Sequence, residues 1–181
     1  MDPAGRATLS YELETFLDPG TAPIYFGFGS MHVPQDLGQV TIQTARVLGR
    51  RAIVSRGWAD LSLLDSERDC LTVDEVNYQA LFKRVAAVVH HGGAGTTTAA
   101  ALLGAPQVVI PQMYDQYYWA KRIHDLDIGT AHPSGTPTTD SLTSALERTL
   151  RPQVAVRASS VAAAMRRDGA QAAAQLLIRC T

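Results

Sequence analysis

"VVHHGGAGTT" (residues 88–97) decides the fold. The apolar run "VAAVVHH" (85–91) has little polar alternation, as expected of a strand buried on both faces. It stops at two histidines, passes through a glycine cluster and continues as "TTTAAALLG" (96–104). That segment reads as a helix opened by Thr96 and Thr97 and stopped by Gly104 and Pro106. A buried strand that turns through glycines into a helix is the repeating unit of parallel α/β sheets.

The rest of the chain keeps the same alternation. Strands are expected at 23–29, 51–55, 70–73 and 107–111, and helices at 37–49, 78–84 and 116–126. Further helical stretches follow "GTAH" near 140–150, 153–167 and 170–179. Strands separated by helices need crossovers, so the expected fold class is α/β: a doubly wound, mainly parallel, Rossmann-like sheet. In such sheets ligands lie beyond the carboxyl ends of the strands. Residues 1–22 read as a linker with one short helix, Ser10 capping "YELETFL", and residues 23–181 as a single domain.

Composition narrows the partners. The chain has 181 residues, 46% apolar and 18% charged, which is room for one domain with a substantial core. The net charge is -1 with both signs interspersed, unlike the basic stripe of a nucleic-acid-binding surface. No apolar run reaches the roughly 18 residues a membrane span needs. "MDPAGRATLS" lacks the layout of a signal peptide, so a cytoplasmic location with no membrane insertion is expected. Cys70 and Cys180 have neither zinc-ligand spacing nor the number for a disulfide framework, and read as free thiols.

The chemistry gathers at the opening stretch. Strand side chains alternate, so His90 and His91 cannot both face one crevice, and one of them is expected to pack on the other side. The glycines let a ligand approach the backbone, and the first N–H groups of the following helix have no internal partners. Amides, hydroxyls and an imidazole at a helix N-terminus make a phosphate site, where the helix contributes about 0.3–1 kcal/mol. The alternative is a tight turn that needs glycine for packing alone. No G-x-x-x-x-G-K-[ST] is present, and "GFGSMH" (27–32) has His32 where a dinucleotide fingerprint needs its third glycine. "PQMYDQ" (111–116) places Asp115 and Gln116 at the same edge, a carboxylate and an amide suited to sugar hydroxyls, although Asp115 could instead cap the next helix. Trp58, ending "SRGW", is either a flat platform for a base or part of the core.

"GFGS", "SRGWADL", "DEVNYQALFKRVAAVVHHGGAGTT" and "GAPQVVIPQMYDQ", in this order and spacing, resemble the donor-binding half of GT-B glycosyltransferases. The likeness is strongest to bacterial enzymes acting on vancomycin-type glycopeptide aglycones and covers the chain from about residue 9 onward. The resemblance implies that Ser30, His91, Gly93, Gly95 and Thr96 surround the donor diphosphate and that Asp115 and Gln116 hold the transferred sugar. It implies that Val76 lies along the base through its backbone, and Trp58 stays the candidate platform of the residue reading. Plant members carry tryptophan where this chain has Asp74.

The family has a second, N-terminal half that binds the acceptor and carries the general base, so no catalytic residue is expected within this chain. The activity implied is inverting, metal-independent transfer of a hexose from a UDP- or TDP-sugar, in antibiotic biosynthesis, with no cofactor. The isolated chain is expected to bind donor without transferring sugar. Two other readings stand beside it: the donor subunit of a two-chain glycosyltransferase with a separate partner, and an NAD-dependent oxidoreductase domain.

Overall fold

Consecutive apolar residues have to be covered on both sides, and the chain does this with six parallel strands between two helical layers. The computed structural model describes residues 9–29, 36–57 and 67–179; Ser30 and Trp58, both expected at the site, lie outside them. The order is α1 (Tyr11–Leu17), β1 (Ile24–Gly27), α2 (Leu37–Val47), β2 (Ala52–Ser55), β3 (Cys70–Val73), α3 (Tyr78–Leu81) and β4 (Ala87–His90). Then come α4 (Ala94–Leu102), β5 (Gln107–Val109), α5 (Gln116–Asp125), β6 (Gly129–Ala131), α6 (Thr139–Thr149), α7 (Pro152–Ala164) and α8 (Gly169–Arg179).

The strands lie in the order β3-β2-β1-β4-β5-β6, all neighbours parallel. Chain order therefore reverses between β1 and β4, where Gly27 sits opposite His90. Alternation sends Ile24, Phe26, Val54 and Val89 to one face, under Leu37 and Ile42 of α2 and Leu142 and Leu146 of α6. Tyr25, Ile53 and Val88 go to the other, against Leu13 and Leu17 of α1, Leu81 of α3 and Ala100 of α4. On that side Val109 meets Ala120 and Ile123 of α5 and Ala158 of α7.

The expected N-cap holds: the Ser10 hydroxyl accepts the Leu13 N–H at 3.2 Å. Arg84 then ties α1 to the sheet through Glu14 and Asp18. Most elements are a few residues shorter than expected, and two boundaries bear on the site. The helix expected over 78–84 is a single turn, Tyr78–Leu81, and the one expected from Thr96 starts two residues earlier, at Ala94. Ala and Gly can continue a helix upstream once Gly93 takes the N-cap position with extended backbone.

Strand β6 is absent from the sequence reading, because "GTA" carries no apolar alternation. Pairing with β5 makes it a strand. Gly129 is required there by space alone: a Cβ would sit 1.9 Å from the Gln107 carbonyl oxygen. Gly129→Ala is expected to destabilise the domain by about 1–3 kcal/mol as β6 is pushed off β5. Thermal denaturation reads this as a Tm lowered by several degrees; an unchanged Tm would mean that β6 shifts without cost.

Candidate functional site

The site is built where the chain order reverses. After β1 the chain turns at Gly29 (φ 59°), and after β2 at Gly57 (φ 52°). A Cβ on Gly57 would lie 2.5 Å from the Gly29 carbonyl oxygen, so these two loops touch backbone to backbone. A Cβ on Gly29 would lie 3.2 Å from His91 Cε1, which brings the loop after β4 into the same contact.

The two histidines separate as alternation requires. His90 is fully buried, its Nε2 2.9 Å from Gln107 Oε1, while the Gly92 N–H donates to its Nδ1 at 3.1 Å. Since Nδ1 accepts, the proton is on Nε2 and donates to the Gln107 carbonyl oxygen. His91 is half-buried, between Gly29 and Gly93, and among the described residues its Nδ1 has no hydrogen-bond partner. Burial lowers its pKa, and the Asp115 charge partly offsets this, so Asp115 reaches the same neighbourhood electrostatically.

The glycines of "GGAG" differ in what they do. Gly92 has φ 93°, and a Cβ there would lie 2.7 Å from Val109 and 3.2 Å from the Gln116 carbonyl oxygen. A Cβ on Gly93 would meet His91 Nε2 at 2.6 Å. Packing accounts for both. Gly95 is in the first turn of α4, and a Cβ there would meet nothing within 4 Å. Glycine costs a helix about 0.8–1 kcal/mol relative to alanine, and packing does not explain it at this position. Gly93 has no side chain to cap α4, whose first ladder bond is Thr97 N–H to the Gly93 carbonyl. The N–H groups of Ala94, Gly95 and Thr96 thus end the helix without intrahelical acceptors.

Asp115 is at the N-cap position of α5, yet its carboxylate makes no capping bond. Its Oδ2 accepts the Trp119 indole N–H at 2.9 Å instead. Gln116 is buried, and its Oε1 accepts the N–H groups of Gln112 and Met113 at 2.8 and 3.2 Å. These bonds hold a loop in which Tyr114 takes a left-handed backbone (φ 51°). Trp119 escaped the sequence reading, although its i,i+4 spacing from Asp115 is a legible signal.

On the β2–β3 side, a cavity of about 340 Å3 is lined by Gly29, Ser55, Gly57, Val76 and Tyr78. Beneath it the buried Tyr25 hydroxyl bonds with Ser55 and Tyr78, and burial raises its pKa well above the phenol range. Tyr78 stacks on Phe82 with ring centroids 4.4 Å apart. Asp74 pairs with Arg56 at 3.5 Å. Ser55 and Tyr78 are additions to the residues expected from sequence. Among the described residues no three His, Cys, Asp or Glu side chains gather as a metal site, and no helix is long and apolar enough to cross a membrane. The Asp125-Leu126-Asp127 stretch lies at the end of α5 opposite Asp115, with Asp125 paired to Lys121.

Residues 53–175 match the family described as erythromycin biosynthesis protein CIII-like, C-terminal domain. The chain is 55% identical over 169 residues to "Glycosyltransferase GtfE" of Amycolatopsis orientalis, covering 93% of this chain and 41% of that one. It is 54% identical over 170 residues to "Vancomycin aglycone glucosyltransferase" of the same organism, covering 94% and 42%. The chain thus spans about two-fifths of the length of these relatives. In fold it resembles the crystal structure of the glycosyltransferase VinC in complex with DTDP, with a TM-score of 0.69, 24% identity and coverage of 86% and 39%. The oxidoreductase alternative finds no support, since these relatives are named glycosyltransferases.

Neutral His90 makes the node acid-sensitive. Burial, opposed by the Gln107 hydrogen bond and reinforced by the His91 charge, holds its pKa at about 4. An unfolded histidine titrates near 6.5, so the unfolded chain binds more protons between these values. Stability is full above pH 6.5 and falls as the pH drops toward 4, by on the order of 3 kcal/mol from this residue. Urea unfolding midpoints at pH 7, 5.5 and 4.5 are expected to fall more steeply for the native sequence than for His90→Gln. Parallel curves would refute the assignment.

Proposed function

The chain belongs to the family of erythromycin biosynthesis protein CIII-like C-terminal domains, and on that footing we propose that it is the donor-binding half of a glycosyltransferase acting on a glycopeptide aglycone. The observation that carries this reading is the meeting of Gly29, His91 and the uncapped N-terminus of α4 at the point where strand order reverses. Gly95, unexplained by packing, is accounted for if a diphosphate lies against the backbone there. The DTDP bound in the VinC complex supports the same ligand class.

In this reading the amides of Ala94, Gly95 and Thr96, the hydroxyls of Thr96 and Ser30 and the imidazole of His91 surround the diphosphate, with Gly93 leaving room. They stabilise the charge that develops on it as the sugar departs, which is why no metal is needed. Asp115, held by Trp119, accepts from the sugar hydroxyls. The Gln116 side-chain oxygen accepts from the 112–113 backbone, so Gln116 also shapes the loop that presents Asp115 to the sugar. The base occupies the cavity along Val76, and the ligand is a UDP- or TDP-sugar. Residues 1–22 lead from an N-terminal half that binds the acceptor and supplies the general base. Transfer inverts the anomeric centre because the acceptor attacks from the side opposite the diphosphate. Without that half the chain binds donor and transfers nothing, since positioning is worth about 7–11 kcal/mol of the barrier. A cytoplasmic location fits this role.

Calorimetric titration with UDP and TDP, with and without EDTA, tests the reading: binding is expected in both conditions and is weakened at least tenfold in His91→Ala. Loss of all binding on chelation would defeat it.

The sugar subsite is tested separately. Asp115→Ala is expected to weaken the nucleotide sugar by about 1.5–3 kcal/mol, leave the free nucleotide unchanged and leave the fold intact. Trp119→Phe is expected to do the same to a smaller extent. Gln116→Ala is expected to lower the Tm as well, because it frees the 112–113 loop. Equal weakening of both ligands by Asp115→Ala would give it a merely structural role.

A further inference from the structure

Helices α4, α5 and α7 leave a groove of about 480 Å3 between them, within the size range of small-molecule sites. Ala101 of α4 and Ala164 of α7 are too short to fill it, while Ile123, Leu126, Val161 and Met165 make its walls apolar. The Trp119 ring is another wall, its indole N–H already committed to Asp115. Two cations interrupt the apolar lining, Arg122 and Arg157. Arg157 Nε donates to the Leu126 carbonyl at 3.0 Å, which fixes the guanidinium at the groove and leaves its terminal nitrogens for other partners. Among the described residues neither arginine has a carboxylate within ion-pair distance, and the acid on the same helix, Asp125, is taken by Lys121 at 2.6 Å.

We propose that this groove binds an apolar monocarboxylate, its hydrocarbon along Trp119, Val161 and Met165 and its carboxylate at Arg122 and Arg157. Two unpaired guanidiniums beside an apolar wall select for that combination. A neutral hydrocarbon would cover the wall without using the cations, whereas a small multiply charged anion would pair with the guanidiniums and leave the apolar wall without a partner. A single carboxylate on an apolar body satisfies both, since guanidinium and carboxylate match in geometry as well as charge. The groove shares α4 and α5 with the donor reading, but neither Thr96 nor Asp115 lines it, so the two stand or fall separately.

Decanoate and decanol, alike in chain length and different in charge, are the probes, titrated calorimetrically into the 181-residue chain below their aggregation limits. Saturable binding of decanoate is expected, with decanol at least tenfold weaker. Arg122→Gln, a change at an exposed position, is expected to weaken decanoate about tenfold and leave decanol unchanged. Ala164→Trp, which fills the groove from an exposed position, is expected to abolish binding of both while the Tm is retained. Absence of saturable decanoate binding, equal affinity for decanol, or an undiminished Arg122→Gln overturns the proposal.

Discussion

The carboxyl edge of the sheet depends on one buried imidazole. His90 has no water to share a proton with, so both its nitrogens must find partners inside the protein, and they find them in different elements. Gln107 accepts from one nitrogen and so ties the end of β4 to the start of β5. The Gly92 amide donates to the other, so the chain turns sharply as soon as the strand ends. Only the tautomer with the proton on Nε2 satisfies both at once. With that turn set, His91 falls on the open side and α4 begins at Ala94.

From this node the neighbouring loops are constrained by contact rather than by attraction. Gly57 meets the backbone of Gly29, Gly29 meets the ring of His91, and Gly92 meets Val109 and Gln116. At Gly57 and Gly92 one added carbon would force apart segments that follow different strands. The result is a concave edge lined by backbone, at which the N–H groups of the α4 terminus present positive partial charge. The His91 imidazole, its pKa lowered by burial, offers a ring N–H as a further donor at this edge.

The β5–α5 loop supplies the complementary chemistry by a division of labour between adjacent residues. Gln116 spends its carbonyl oxygen on the loop backbone, which stabilises the left-handed turn at Tyr114. Asp115 is thereby left at the helix start without a capping duty, its carboxylate steadied by Trp119 one turn later. The same tryptophan lines the groove behind α5, so two separate surfaces share one side chain.

The periodicity of the chain alone determined that strands alternate with helices and that the sheet is parallel, and its motifs pointed to "VVHH" and "DQ" as the candidate site. These follow from local rules: apolar runs need cover on both faces, and glycine followed by alanine and threonine marks a strand-to-helix turn. The split between His90 and His91 was legible for the same reason, because a strand has period two. Tertiary structure decided the rest. Strand β6 exists because β5 offers an edge and Gly129 fits against it, which "GTA" cannot announce by pattern. The cavity along Gly29, Ser55 and Val76 joins residues from three segments far apart in the chain. Gln116, expected from sequence to meet the sugar, also acts as a strut, because its partners are backbone N–H groups, which every residue but proline carries regardless of its letter. Pattern encodes what a residue prefers to bury, whereas hydrogen-bond partners and steric clearances depend on which segments the fold brings within a few ångströms.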